Sequence, residues 1–403
     1  MTGGAAFAAE RETTHSEADL LSVAAGLDDP FVWLHGDSGI VAAGEIARVD
    51  VGTGESRFAT AAAGLNEVFS TVSGKERALA FGSFSFDESS ADSVLVVPSV
   101  VWRGDSGACS VARYGAGPWP SPDGVARAKS RERVRYGGSS ISELEWLERV
   151  ADAVRVIGTG ALDKVVLARD VLVWSEEEFH VPSLLARLAS RYPGCYTFAC
   201  EGLIGATPEL LVGRAGKRVR SLVLAGSSAR SADPAEDARL GGVLLDSAKD
   251  LAEHRFAVES VSEVLGPVCA RLDVEASPSL LRLANVQHLA TRVTGELSEP
   301  LGALELAGLL HPTAAVCGTP SAKALNLIRE LEGMDRGRYS GPVGWVDSDG
   351  DGEWGIALRC GRFEGARGRL FAGNGIVGES EPEDELEETR LKLRAMMSAL
   401  EGS

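Results

Sequence analysis

Apolar residues in this chain fall in short runs, many β-branched, closed by Gly, Asp and Ser, and only a few stretches carry the three-and-four spacing of a helix. That irregular mix limits the fold more than any single residue does. Phe31–Leu34, Ala78–Phe86 and Ser93–Trp102 read as strands of a mainly β N-terminal portion, residues 19–125. Residues 1–18 read as frayed, and GAGPWPSPDG (115–124) as the clearest linker. In residues 126–403 strands and helices are mixed. KVVLARDVLV (164–173) has strand composition. Cys195–Cys200, Leu210–Arg214, Arg218–Leu224, Trp345–Val346, Trp354–Arg359 and Leu370–Ala372 continue as strands, with Ala215–Gly216 as a turn. Ser140 and Glu143 form a capping box ahead of Leu144, Leu147, Val150, Val154 and Ile157. Pro182 opens a helix through Leu188, and another runs from about Asp246 to Leu265, ended by Gly266–Pro267. Ser380 and Glu383 repeat the capping box before a last helix with Leu386, Leu393, Met397 and Leu400 inward. Strands joined as hairpins, without regular βαβ alternation, predict an α/β protein of the α+β type: a largely antiparallel sheet structure flanked by helices.

Charge narrows the partners. Lys and Arg number 40 and Asp and Glu 58 in 403 residues, a net −18. Such a surface repels phosphate backbones and anionic membranes, so neither is an expected partner. An anion would need a local cationic pocket or a bound metal ion. The six cysteines are scattered with no CxxC pair, which argues for reduced thiols rather than disulfides or a zinc ribbon. No apolar run reaches the roughly 18 residues of a membrane span, and Met1–Asp29 lacks a basic start and apolar stretch. A soluble cytoplasmic protein is expected.

Several polar residues invite a chemical reading beside a structural one. Asp250 and Glu253 share a helix face, and Glu385 and Glu388 repeat the spacing with Lys392 a turn further on. Facing each other, the two pairs would form an oxygen-rich site suited to Mg²⁺; apart, they are solvated helix faces. Lys164 opens an apolar strand, either as an edge residue or, if enclosed, as a general base. Glu209 follows Thr207–Pro208 at a strand start, where a surface charge is common. His288 has the apolar context of a satisfied core histidine. Arg359 within an apparent strand needs an anionic partner, structural or substrate. The glycines of Ala372–Gly375 form either an anion-binding loop or a plain turn.

The order of the motifs says more than any one of them. DKVVLARD (163–170), GATPELLVGR (205–214), LAGSSAR (224–230), KDLAEHRFAVESV (249–261), VQHLATRVTGEL (286–297), HPTAAVCGTP (311–320), RYSGPVGW (338–345), ALRCGRF (357–363), FAGNGIVGES (371–380) and EDELEET with Lys392 follow one another. Over roughly 155–398 the chain resembles the chorismate-utilising enzymes: isochorismate, salicylate, anthranilate and aminodeoxychorismate synthases. The resemblance implies a large twisted, mostly antiparallel β-sandwich flanked by helices, to which the N-terminal portion adds strands. It implies chorismate as substrate, Mg²⁺ as cofactor and a monomer. It places Lys164 on the base that activates water, Glu209 on the general acid and His288 at the reacting face. Glu253 and Glu385 fall on Mg²⁺ ligands, with Asp250 and Glu388 beside them. Gly226, Ser227, Tyr339, Arg359, Gly373, Gly375 and Lys392 fall on substrate-contacting positions. Among the branches, Lys164 argues against the ammonia-using anthranilate synthases. Ala225 stands where aminodeoxychorismate synthases carry a nucleophilic lysine. Ala315, where salicylate synthases tend to have Thr, leans towards an isochorismate synthase, with salicylate synthase as the rival. A non-catalytic relative should have lost an acid, base or ligand, and none is missing.

Overall fold

Alternation along the strands decides the layering. In Phe31–His35, Phe31 and Trp33 pack with Phe81, Val96, Phe198 and Leu210, whereas Val32 and Leu34 pack with Leu184, Leu188 and Met396. In Val94–Val97, Val94 and Val96 join the first of these clusters, and Leu95 and Val97 pack with Phe58 and Trp354 in a third. A period of two that buries both faces calls for cover on both sides. The structure, a computed structural model, describes residues 7–12, 19–73, 77–105, 108–122 and 133–402. It provides that cover as two sheets packed face to face, with helices on their outer sides.

Among the described residues one sheet has 13 strands and the other 10. Both draw on both halves of the chain. In the first, Tyr196–Cys200 pairs with Phe31–His35; in the second, Pro342–Asp347 pairs with Leu79–Ser83. All described pairings are antiparallel except Phe7–Glu12 with Val72–Ser73. The expected α+β class and flanked antiparallel sandwich therefore hold. Phe7–Glu12 is a strand inside the stretch expected to fray, while residues 1–6, 13–18 and 123–132, the end of the expected linker included, lie outside the described residues.

The chain changes sheets at sharp corners. Leu203–Thr207 belongs to the larger sheet and Leu210–Ala215 to the smaller, so Pro208–Glu209 is a crossing. Gly352–Ile356 and Cys360–Glu364 are separated in the same way by Ala357–Arg359. The two corners are laced together: Ala206 N donates to Arg359 O and Ile356 N to Glu209 O, both at 3.2 Å. Arg359 has φ +49°, so it lies at a bend and not within a strand as its sequence context predicts. Ser93–Trp102 is likewise two strands, Val94–Val97 and Val100–Asp105, in different sheets; Pro98, with no N–H to give a ladder, stands at the break.

Other local readings shift. The first capping box uses Ser142 and Glu145, not Ser140 and Glu143. Ser140 instead donates its N–H and hydroxyl to Asp170. The helix that follows, Glu143–Gly158, buries Trp146, Val150, Ala153 and Ile157, and Leu144 is exposed. Ser380 caps no helix: its Oγ accepts from Val377 N, and the last helix, Pro382–Glu401, starts from Glu381 with no side-chain cap. Ala372–Gly375 is not a loop but the end of the strand Arg367–Ile376. Five of the six free cysteines are buried. Among the described residues no helix is long and apolar enough to cross a membrane.

Trp354, wholly buried between Gly82 and Phe84, fills the helix-covered side of the smaller sheet. Trp354→Ala should lower stability by about 3–5 kcal/mol, read from the midpoint of urea unfolding.

Candidate active site

The two sheet-crossing corners and the ends of four strands line a pocket with about 540 Å³ of empty space, part of it open to solvent. Pro208 and Glu209 come from one corner, Leu358 and Arg359 from the other. Val166, Gly373 and Gly375 come from the paired strands Lys164–Trp174 and Arg367–Ile376, in which Val166 stands opposite Gly375 and Ala168 opposite Gly373. Gly226, Ser227 and His288 come from the smaller sheet, and Glu253 and Lys392 from helices Ala248–Leu265 and Pro382–Glu401. Ala315, Val316 and Tyr339 close the wall. A larger cavity of about 1130 Å³ holds none of the expected site residues.

Lys164 lies just behind this surface, 0% exposed. Its Nζ is 3.1 Å from Glu253 Oε1, an ion pair outside hydrogen-bonding angles, and it has no hydrogen-bond partner among the described residues. Gly375 makes room for the pair: a Cβ there would stand 2.2 Å from Glu253 Oε1 and 2.6 Å from Lys164 Cε. Glu209 is 4% exposed, and burial pushes its carboxyl up to about 8, against the pull of its bond from Leu224 N–H and of Lys164 and Arg359. At neutral pH it therefore carries its proton.

The carboxylates of the two helices converge but are not bare. Glu385 Oε1 accepts from Lys249 Nζ at 2.9 Å, and its Oε2 accepts from Asn374 Nδ2 at 3.0 Å. Glu388 Oε1 is 2.6 Å from Lys392 Nζ, which also donates to Gly373 O and Asn374 Oδ1. Burial raises Glu385, and neighbouring Glu388 raises it further; burial also opposes ionisation of Glu388, but Lys392 outweighs it and holds Glu388 low. Asp250 is raised by burial and by Glu253 and Glu388. These four carboxylates share one neighbourhood and one field. Among the described residues no three acids, histidines or cysteines are close enough together to enclose an ion.

His288 has both ring nitrogens engaged. Arg359 Nη2 lies 2.8 Å from Nε2, and since a guanidinium only donates, Nε2 accepts. The ring proton is then on Nδ1, 3.0 Å from Ser227 Oγ and 3.3 Å from Gly226 O. Burial, then Arg359, hold the imidazole well below its ordinary range, so it is neutral. Gly226 sits at φ +75° in a bulge where the register slips between Ala225 and Ser227, and a Cβ there would press on Asp250. Tyr339 stacks on Phe371, its ring centroid 5.0 Å away.

A buried protonated acid, a buried lysine and an arginine around one pocket make the site of an enzyme that moves protons on a small anion. Comparison with known proteins specifies the class. The chorismate binding enzyme family matches residues 123–401. The chain is 40% identical over 347 residues to isochorismate synthase DhbC of Bacillus subtilis, covering 81% of this chain and 82% of that one. It is 41% identical over 267 residues to the vibriobactin-specific isochorismate synthase of Vibrio cholerae, covering 65% and 68%. The structure superposes on MenF, the menaquinone-specific isochorismate synthase of Escherichia coli, with TM-score 0.82, 25% identity and coverage of 98% and 94%. This chain belongs to the chorismate binding enzymes.

The residues expected from the motifs thus gather in one place, apart from Lys164, Asp250, Glu385 and Glu388, which stand around the pocket without lining it. Sequence reasoning missed Lys249 and Asn374, which hold Glu385. Lys249 had a signal, since it is four residues before Glu253 on one helix face. Asn374 had none, being hidden between two glycines. Gly375→Ala should leave the protein folded yet weaken chorismate binding at least about tenfold by calorimetric titration, as the new methyl must displace Glu253 or Lys164.

Proposed function

We propose that the chain is an isochorismate synthase, converting chorismate to isochorismate by attack of water at C2 and loss of the C4 hydroxyl. The observation that carries this reading is the pairing of Lys164, enclosed beside Glu253, with Glu209, enclosed and protonated, at one pocket. Lys164 is the base that takes a proton from water as that water attacks C2. Glu209 gives its proton to the departing C4 oxygen, and the ring double bonds shift. Arg359 and Lys392 supply positive charge for the substrate carboxylates in an otherwise acidic protein. His288, neutral and held at both nitrogens, keeps Arg359 and Ser227 in place. Tyr339, Gly226, Gly373 and Gly375 shape the wall. No covalent intermediate is required.

The carboxylates do not by themselves enclose an ion, but Mg²⁺ takes one or two carboxylates and completes its shell with water and substrate, and Glu253 and Glu385 would supply those two, with Asp250 and Glu388 reached through water. The partly exposed Lys249 and Lys392 ammonium groups on these carboxylates mark a place where negative charge asks for a cation. Bound there, Mg²⁺ would anchor a substrate carboxylate and withdraw electron density. Ala315 in the pocket wall favours release of isochorismate over onward elimination of pyruvate. The product would serve menaquinone or siderophore synthesis, since relatives are named for both. Function in the cytoplasm as a monomer fits this reading.

Purified protein given chorismate and Mg²⁺ should form isochorismate alone on chromatography, and EDTA should abolish turnover. Salicylate with pyruvate would assign the rival activity, and activity surviving EDTA would remove the metal. Lys164→Ala and Glu209→Gln should each fold and lose about 10²–10⁴-fold in kcat.

The acid works only while protonated, so kcat/KM should fall as pH rises through about 8. A profile flat from neutrality to about pH 9.5 would show that Glu209 is not the proton donor.

A further inference from the structure

One edge of the strand Lys164–Trp174 pairs with Arg367–Ile376 from Val165 to Trp174. The other edge has strand neighbours only at its ends: Gly318–Thr319 beside Lys164 and Val165, and Arg135–Tyr136 beside Val173 and Trp174. The gap between them is buried, so its backbone groups need partners. Cys317 O accepts from Val166 N at 2.7 Å. After that, side chains replace backbone. Arg336 Nη2 donates to Val166 O at 2.7 Å, and Glu332 Oε1 accepts from Ala168 N at 2.7 Å. The two side chains pair with each other, Nε to Oε2 at 2.8 Å, and each is about 2–3% exposed. Arg336 Nη1 reaches the other way, to Val316 O at 2.9 Å, and the Phe86 ring covers the guanidinium with its centroid 4.0 Å away.

Val166 and Val316 are adjacent parts of the pocket lining, and Lys164 is two residues along the same strand face from Val166. Neither Glu332 nor Arg336 lines the pocket. We propose that Glu332 and Arg336 are positioning residues: their side chains stand in for a missing strand and fix the segment carrying Val316 against the strand carrying Lys164 and Val166, and so the alignment of the ring between Lys164 and Glu209. The proposal rests on the isochorismate reading above. An isoleucine or leucine pair could fill the same space but could not hold both segments by directed bonds.

The test is Arg336→Lys and Glu332→Gln, with kcat and KM measured per folded molecule. Lysine keeps the charge but cannot span Val166 O and Val316 O at once. Glutamine keeps an oxygen for Ala168 N–H, and it serves if Arg336→Lys does not accumulate. The expected result is a fall in kcat of about 10–10²-fold with KM within about threefold, the signature of misalignment rather than lost binding. Faster amide exchange at Ala168, with the Arg367–Ile376 strand unchanged, should accompany it. A variant that melts lower yet keeps kcat within about twofold of the parent would reduce the pair to a structural ion pair and overturn the proposal. Parent protein that makes no isochorismate would instead sink the functional reading, while exchange at Ala168 would still report whether the rung exists.

Discussion

A lysine side chain with no exposed surface is tolerable only if the rest of the molecule compensates for it, and Lys164 organises its surroundings on that condition. Taking such a group out of water is costly unless a partner meets it. Glu253 meets it, which places the helix Ala248–Leu265. The strand opposite must yield space for both side chains, and Gly375 does. Glu253 is then part of a wider balance, because Lys249 and Lys392 hold Glu385 and Glu388 on the neighbouring helix Pro382–Glu401. In a chain of net charge −18, Lys164, Lys249, Lys392 and Arg359 give this small region cations of its own.

Glu209 shows the complementary strategy. It has no cation in bonding contact, so burial keeps it neutral. The group lies on a corner between sheets, held by backbone bonds to the neighbouring corner that carries Arg359. Corners are the places in a sandwich where the ladder breaks and side chains turn inward at its end. Rigid strands on either side keep such irregular segments in register, which a free loop would not do. The proposed acid and the proposed carboxylate clamp are thereby fixed relative to one another.

How much of this was legible beforehand differs by level. The antiparallel character followed from strands joined as hairpins without regular βαβ alternation, and strands such as Lys164–Trp174 were found nearly to the residue. The site residues were legible only through motif order, since spacing alone left Glu209 or Lys164 as plausible surface charges. What escaped was tertiary. Ser140 and Ser142 both stand three residues before a glutamate, and only the demand of buried Asp170 decides between them. Arg359 looked like a strand residue because its neighbours are apolar, yet they are apolar because the corner is buried. Gly373 and Gly375 looked like a loop, but their missing side chains make room inside a strand. The helix Pro234–Asp246, separated from Ala248–Leu265 at Ser247, had no reading at all.

The interleaving of the two halves has a consequence for how the chain reaches this state. Phe31–His35 pairs locally with Ser38–Ala43 and Leu79–Ser83 with Val94–Val97, but the second edge of each must wait for Tyr196–Cys200 or Pro342–Asp347. During synthesis the early strands emerge with one edge open, and neither sheet is complete until nearly the whole polypeptide has left the ribosome. Such distant pairings are slow to form and leave sticky intermediates in the interval. Yield in a host cell should therefore respond to growth temperature and chaperone supply more sharply than the stability of the finished enzyme would suggest.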